Sequence, residues 1–160
     1  MASTLDILRR LQQANVEFVL VGGMAGVLHG ASQVTEDLDV CAPFTSENLG
    51  RLIASLDGLR PMLRMQARPI PLSRDPAILT TYRNLYLSTD LGQLDVLSDI
   101  TGIGAFAEVT RRSTSMTVQG LVCRVIDLAA LIDAKRALGR AKDLQVALEL
   151  EAILKNIRSR

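Results

Sequence analysis

With 160 residues, 48% hydrophobic and 22% charged, the chain has the size and make-up of one ordinary globular domain that can bury its own core. Its net charge of +1 excludes a global field drawing it to nucleic acid or membrane, so any such contact has to come from a local patch. Aromatic residues make up 3% and Trp is absent, which leaves no evident platform for stacking single-stranded bases.

Ser3-Thr-Leu-Asp6 is a variant capping box, and Leu5, Leu8 and Leu11 recur at helical spacing, predicting a first helix that ends near Ala14-Asn15. Glu17–Val21 is a short β-branched apolar run stopped by Gly22-Gly23, which reads as a buried strand. The glycines let the backbone turn sharply and leave no side chain between its N–H groups and a ligand. Met24–Leu28 has helical composition, and a helix N-terminus after such a turn suits an anion. A second strand begins with Thr35-Glu36-Asp37-Leu38-Asp39-Val40. Residues i and i+2 share a strand face, so Asp37 and Asp39 point one way and Leu38 and Val40 into the core. Paired carboxylates opposite a phosphate-friendly turn point to Mg²⁺ and a nucleoside triphosphate.

Thr45-Ser46-Glu47-Asn48 opens the next helix, with Leu49, Leu52, Ile53 and Leu56 as its buried stripe and Gly58 past its end. From Arg60 to Thr81 four prolines forbid a long regular element, leaving a mobile basic excursion with a strand near Met62–Met65. Arg60, Arg64, Arg68 and Arg74 read either as solvated loop charges or as contacts to phosphate. Asn84–Ser88 and Gln93–Ser98 flank Thr89-Asp-Leu-Gly92 as a hairpin, with Asp95 facing opposite to Leu94 and Val96. Thr114–Gln119 and Leu121–Ile126 form a strand pair hinged at Gly120. Asp127 caps a helix that reaches Leu138 and breaks at Gly139. The last helix starts near Lys142-Asp143 and buries Leu144, Leu148, Ile153 and Leu154. This order predicts an α+β fold, a mixed β-sheet with helices packed on it and a short helical tail.

Cys41 and Cys123 lie in apolar runs without metal-ligand spacing and read as buried, reduced thiols. No signal peptide or membrane-spanning stretch is visible, so the expected location is cytoplasmic with no membrane partner. His29, beside Gly30 at a helix end, reads as a cap rather than a base.

Gly22-Gly23, the short helix, His29-Gly30 and Thr35-x-Asp37-Leu38-Asp39 together resemble the nucleotidyltransferase signature of the DNA polymerase β superfamily. Within it, the chain resembles the small bacterial members of abortive-infection and toxin–antitoxin type. Many of those relatives carry Arg two residues before the Thr, where this chain has Gln33. The resemblance implies a nucleotidyltransferase-like core over residues 1–126 and C-terminal helices over 127–160 packed on it as one compact domain. It implies Mg²⁺ (or Mn²⁺) held by Asp37, Asp39 and a third carboxylate on a neighbouring strand near the attacking hydroxyl. Asp95 takes that third place by chain position and strand context, ahead of Asp99 and Asp90. Gly22, Gly23, Ser32 and Thr35 would face the nucleotide, although Ser32 and Thr35 could equally order the loop. The resemblance also casts Lys135 and Lys142 as phosphate cations, whereas Arg136 and Arg140 could simply complement a helix dipole.

The implied activity moves a nucleoside monophosphate from an NTP to a hydroxyl on RNA (tRNA among the candidates) or on a protein, as in a toxin with an antitoxin partner. The alternative is an inactive nucleotide- or partner-binding module. A Rossmann-type dinucleotide site is disfavoured because GGMAG is not GxGxxG and paired acids are not a single ribose-binding acid.

Overall fold

The computed structural model describes residues 2–160. Helices α1 (Ala2–Gln13), α2 (Gly22–Leu28) and α3 (Ser46–Ser55) alternate with strands β1 (Val19–Val21) and β2 (Leu38–Cys41). Then come β3 (Met62–Leu63), β4 (Ile70–Pro71), α4 (Pro76–Leu79), β5 (Asn84–Thr89) and β6 (Gly92–Leu97). The chain closes with β7 (Asp99–Ile100), β8 (Gly104–Ala105), α5 (Phe106–Arg111), β9 (Ser113–Val118), β10 (Leu121–Ile126), α6 (Leu128–Leu138) and α7 (Ala141–Arg158). Eight strands form one mixed sheet in the order β4-β3-β5-β6-β2-β1-β10-β9, and β7 and β8 make a separate pair. The α+β reading stands.

Register explains how this sheet carries both a core and a site. Val125, Leu20, Val40, Val96 and Leu85 are successive neighbours across β10, β1, β2, β6 and β5, and each is at most 1% exposed. One residue along, the row belongs to the other face. Val21 pairs with Asp39, Asp39 with Asp95, and Asp95 with Tyr86. Because side chains alternate with a period of two, a slip of one residue would bury the carboxylates and expose the aliphatic row. The buried Val/Leu set thus holds the acids in alignment.

The predicted N-terminal elements form with small shifts. Pairing on β1 begins at Val19 because Asn48 of α3 holds the backbone of Glu17, accepting from its N–H at 2.7 Å and donating to its carbonyl at 3.1 Å. Gly22-Gly23 is the first turn of α2 rather than a turn before it, although Gly22 keeps a φ of +68°. Thr45 caps α3, accepting from the Asn48 N–H. Gln119 and Gly120 turn the β9–β10 hairpin, both at positive φ as a two-residue right-twisted hairpin requires. Asp127 accepts from the Ala130 N–H at 2.7 Å, and Gly139 ends α6 at φ +69°. The Cys41 and Cys123 thiols are free and buried, and burial, with the Asp99 charge behind it, pushes Cys41 up to about 12. Among the described residues no helix is long and apolar enough to cross a membrane.

Three regions differ from expectation. The proline-rich stretch is a small edge hairpin, β3 and β4, followed by the one-turn α4, which Asp75 caps. Two residues of β3 pair with β5, and that modest pairing anchors Arg64. Between β6 and β9, where no element was expected, β7, β8 and α5 form, and α5 inserts Val109 (0% exposed) into the core beside β1 and β10. On α7 the buried face consists of Asp143, Ala147 and Leu150, whereas Leu144 is 40% and Leu148 65% exposed. In this rotation Ala147 and Leu150 take the core side and the Asp143 carboxylate meets the Lys135 ammonium of α6 at 3.7 Å. Leu150→Ala should therefore cost roughly 2–5 kcal/mol in urea unfolding, and Leu148→Ala less than about 0.5 kcal/mol. Equal losses would show the rotation to be wrong.

Candidate active site

Asp39 stands at the centre of the site face. It is partly buried in β2, with Val21 of β1 on one side and Asp95 of β6 on the other. Burial first, and then the charges of Asp95 and Asp37, push its carboxyl up to about 6, while Lys135 and Arg64 pull it partly back. Asp37 lies just before β2, exposed, in line with Gln93. With its amide turned so that Nε2 faces Asp37, Gln93 donates to both carboxylate oxygens at 3.2 Å.

Gly22 is required where it stands. A Cβ there would lie 2.9 Å from both Cβ and Cγ of Asp39, at a φ that side chains avoid. The α2 backbone and the Asp39 carboxylate are packed as closely as the absence of a side chain allows. Gly23 meets Thr35, whose Oγ1 would be 3.1 Å from an added Cβ, and the Gly23 carbonyl accepts from Gln33 Nε2 at 3.1 Å. Gln33 also lies 2.8 Å from where a Cβ on Gly26 would sit. Where many of the resembled proteins have Arg, this neutral amide therefore braces α2 against the loop.

A cleft of about 410 Å³ opens beside this row, with Gly22, Asp39 and Lys135 in its lining. Asn84, Tyr86 and Leu97 form one wall, and Ile126 with Leu131, Ala134 and Leu138 of α6 forms another. Lys135 is held 3.7 Å from Asp143, which is 1% exposed and also takes a charge-assisted bond from Arg140 Nε at 2.5 Å. The cation beside Asp39 thus has its own buried counter-charge, supplied by the α7 rotation described above.

The remaining predicted residues are more scattered. Ser32 is exposed, and its N–H donates to Glu149 of α7 at 2.7 Å. Thr35 reaches the Asp37 carbonyl at 3.4 Å and orders its own loop. Lys142 is exposed on the first turn of α7 and does not line the cleft. His29 caps α2 and bonds the Ile126 carbonyl through Nε2 at 2.8 Å, tying α2 to the end of β10. Asp90 and Asp99, the weaker candidates for the third carboxylate, are paired with Arg60 and Arg83.

The partner of Asp95 is what the sequence did not assign. Arg64 grips it with both prongs: Nη1 on Oδ1 and Nη2 on Oδ2, the latter at 3.0 Å. The usable signal was the strand predicted near Met62, which sets Arg64 beside the hairpin arm that carries Tyr86.

The donor set suits a hard divalent cation. Asp37 and Asp39 supply carboxylate oxygens of the kind Mg²⁺ prefers, and the Asp39 carboxyl, raised first by burial and then by the charges of Asp95 and Asp37, would gain from a cation beside it. Among the described residues no three acidic, imidazole or thiol groups meet as a ready-made cage.

No protein-family model and no curated protein sequence matches this chain. Among solved structures, the crystal structure of ANT(2")-Ia in complex with adenylyl-2"-tobramycin aligns with 99% of this chain and 98% of its own at a TM-score of 0.55 and 17% identity. At that identity the likeness speaks for architecture, and the architecture of this chain is nucleotidyltransferase-like.

Proposed function

We propose that this protein is a nucleotidyltransferase that moves a nucleoside monophosphate from an NTP to an acceptor hydroxyl. The observation that carries the reading is the Asp39–Asp95 pairing across adjacent parallel strands, set against Gly22 at a cleft that Lys135 also lines. Asp37 and Asp39 would hold Mg²⁺ (or Mn²⁺), which when bound neutralises phosphate oxygens around the reacting phosphorus. Gly22 lets the Asp39 carboxylate pack against the start of α2 at the cleft. Lys135 offers its ammonium to phosphate. Asp95 accepts the proton of the attacking hydroxyl. That oxygen forms the new bond to the α-phosphorus and pyrophosphate leaves with the broken P–O bond.

The acceptor is a hydroxyl on RNA, tRNA included, or on a protein, which agrees with the toxin-type resemblance and leaves room for an antitoxin partner. The adenylylated tobramycin of the structural neighbour makes an aminoglycoside the natural control. The second reading, an inactive nucleotide-binding module, draws on the grip of Arg64 on Asp95.

Incubating the protein with each labelled NTP, Mg²⁺ and either total RNA, protein or tobramycin separates these readings. Transfer to RNA or protein is expected. Asp95→Asn should lower it by at least ~100-fold and leave Mg²⁺–NTP affinity within about threefold, the pattern of a group used only in the transition state. Nucleotide binding without transfer to any acceptor would favour the inactive module.

A further inference from the structure

We propose that Arg64 is the built-in counter-cation of Asp95, so that the site binds one divalent ion per nucleotide, on Asp37 and Asp39, instead of two. The inference rests on the nucleotidyltransferase reading and concerns how its charges are balanced. Displacement at phosphorus is commonly served by two metal ions about 4 Å apart, and the ion nearer the attacking hydroxyl would draw on a third carboxylate, Asp95, beside Asp37 and Asp39. Here the third carboxylate is engaged.

The engagement is built into the sheet. The Arg64 N–H donates to the Tyr86 carbonyl at 2.9 Å, so β-pairing sets where its side chain begins. Tyr86 is the cross-strand neighbour of Asp95, which places Arg64, Tyr86, Asp95 and Asp39 in one line across the sheet. The guanidinium carbon lies 5.7 Å from the Tyr86 ring centroid, and Nη1 also donates to the Leu87 carbonyl at 3.2 Å. Neighbouring arginine pairs are surface pairs: Arg60, Arg74 and Arg83 are 83%, 82% and 73% exposed. Arg64 and Asp95 are 21% and 16% exposed, where water screens little. Arginine stays protonated at any working pH, so pH does not release its partner.

Arg64 gives Asp95 the positive charge that a second ion would otherwise bring. Arg64 thus stands where another protein would use a metal ion.

The test counts Mn²⁺ bound per chain, by electron paramagnetic resonance and equilibrium dialysis, with a saturating non-hydrolysable NTP analogue. Wild type should bind one ion. Arg64→Gln should bind two, the second at least tenfold tighter than any further site on wild type. Arg64→Gln/Asp95→Asn should return to one. Two ions of similar affinity on wild type overturn the proposal, as does a folded Arg64→Gln that stays at one. If Arg64→Gln does not fold, the wild-type count decides. A wild type that binds neither Mn²⁺ nor the analogue overturns the nucleotidyltransferase reading itself, and this inference with it.

Discussion

Asp39→Asn is expected to stabilise the protein at neutral pH and, in the same change, to remove its metal–nucleotide binding. Asp39 has its carboxyl raised from an ordinary 3.8 to about 6, chiefly by burial and then by Asp95 and Asp37. In the window between those values the folded chain holds more protons than the unfolded one, so stability falls as pH rises from about 4 to about 6. At ~1.36 kcal/mol per pH unit the loss is up to roughly 3 kcal/mol, an upper limit for a carboxylate that keeps some access to water. Asn removes the charge, so urea unfolding at pH 7 should show a gain of about 1–3 kcal/mol, and the fall between pH 4 and 6 should flatten. Calorimetry with Mg²⁺ and NTP should show affinity lower by on the order of 100-fold or more, beyond what outer-shell changes cost. In wild type the same affinity should weaken below pH 6 as Asp39 takes up its proton. A variant that gains stability and keeps its affinity would make Asp39 a strained structural residue and move the metal away from it.

Gly22→Ala should have the opposite effect on stability. The added methyl has to fit 2.9 Å from Asp39 Cβ and Cγ, and the residue would hold φ +68°. The left-handed backbone costs ~1–2 kcal/mol for a residue with a side chain, and the overlap adds ~1–3 kcal/mol. A loss of roughly 2–5 kcal/mol in urea unfolding is therefore expected, accompanied by weaker Mg²⁺–NTP binding as Asp39 shifts. Gly58→Ala is the control, because its φ is also positive, at +78°, but nothing lies within 4 Å. It should show the backbone cost alone and leave nucleotide affinity unchanged. Equal behaviour of the two variants would rule out the tight Gly22–Asp39 packing.

Much of this protein was decided locally and could be read from the chain. The alternation in Leu38-Asp39-Val40 and Leu94-Asp95-Val96 already assigns acids to one face and aliphatics to the other, because strand geometry needs no partner to impose a period of two. Asp127 and Gly139 bound α6 for equally local reasons: an oxygen that caps the first turn, and a residue free to adopt positive φ. Only tertiary structure could decide which strands are neighbours, and therefore that Asp39 stands beside Asp95. Contacts distant in sequence also decided that Arg64, 31 residues before Asp95, takes both of its oxygens. The rotation of α7 was settled the same way, since a hydrophobic stripe alone would bury Leu144 and Leu148. In the fold Asp143, Ala147 and Leu150 face inward instead, and the Asp143 carboxylate meets Lys135 and Arg140. Ion pairs in low dielectric depend on where two charges finally meet, and a linear pattern of residue types does not contain that distance.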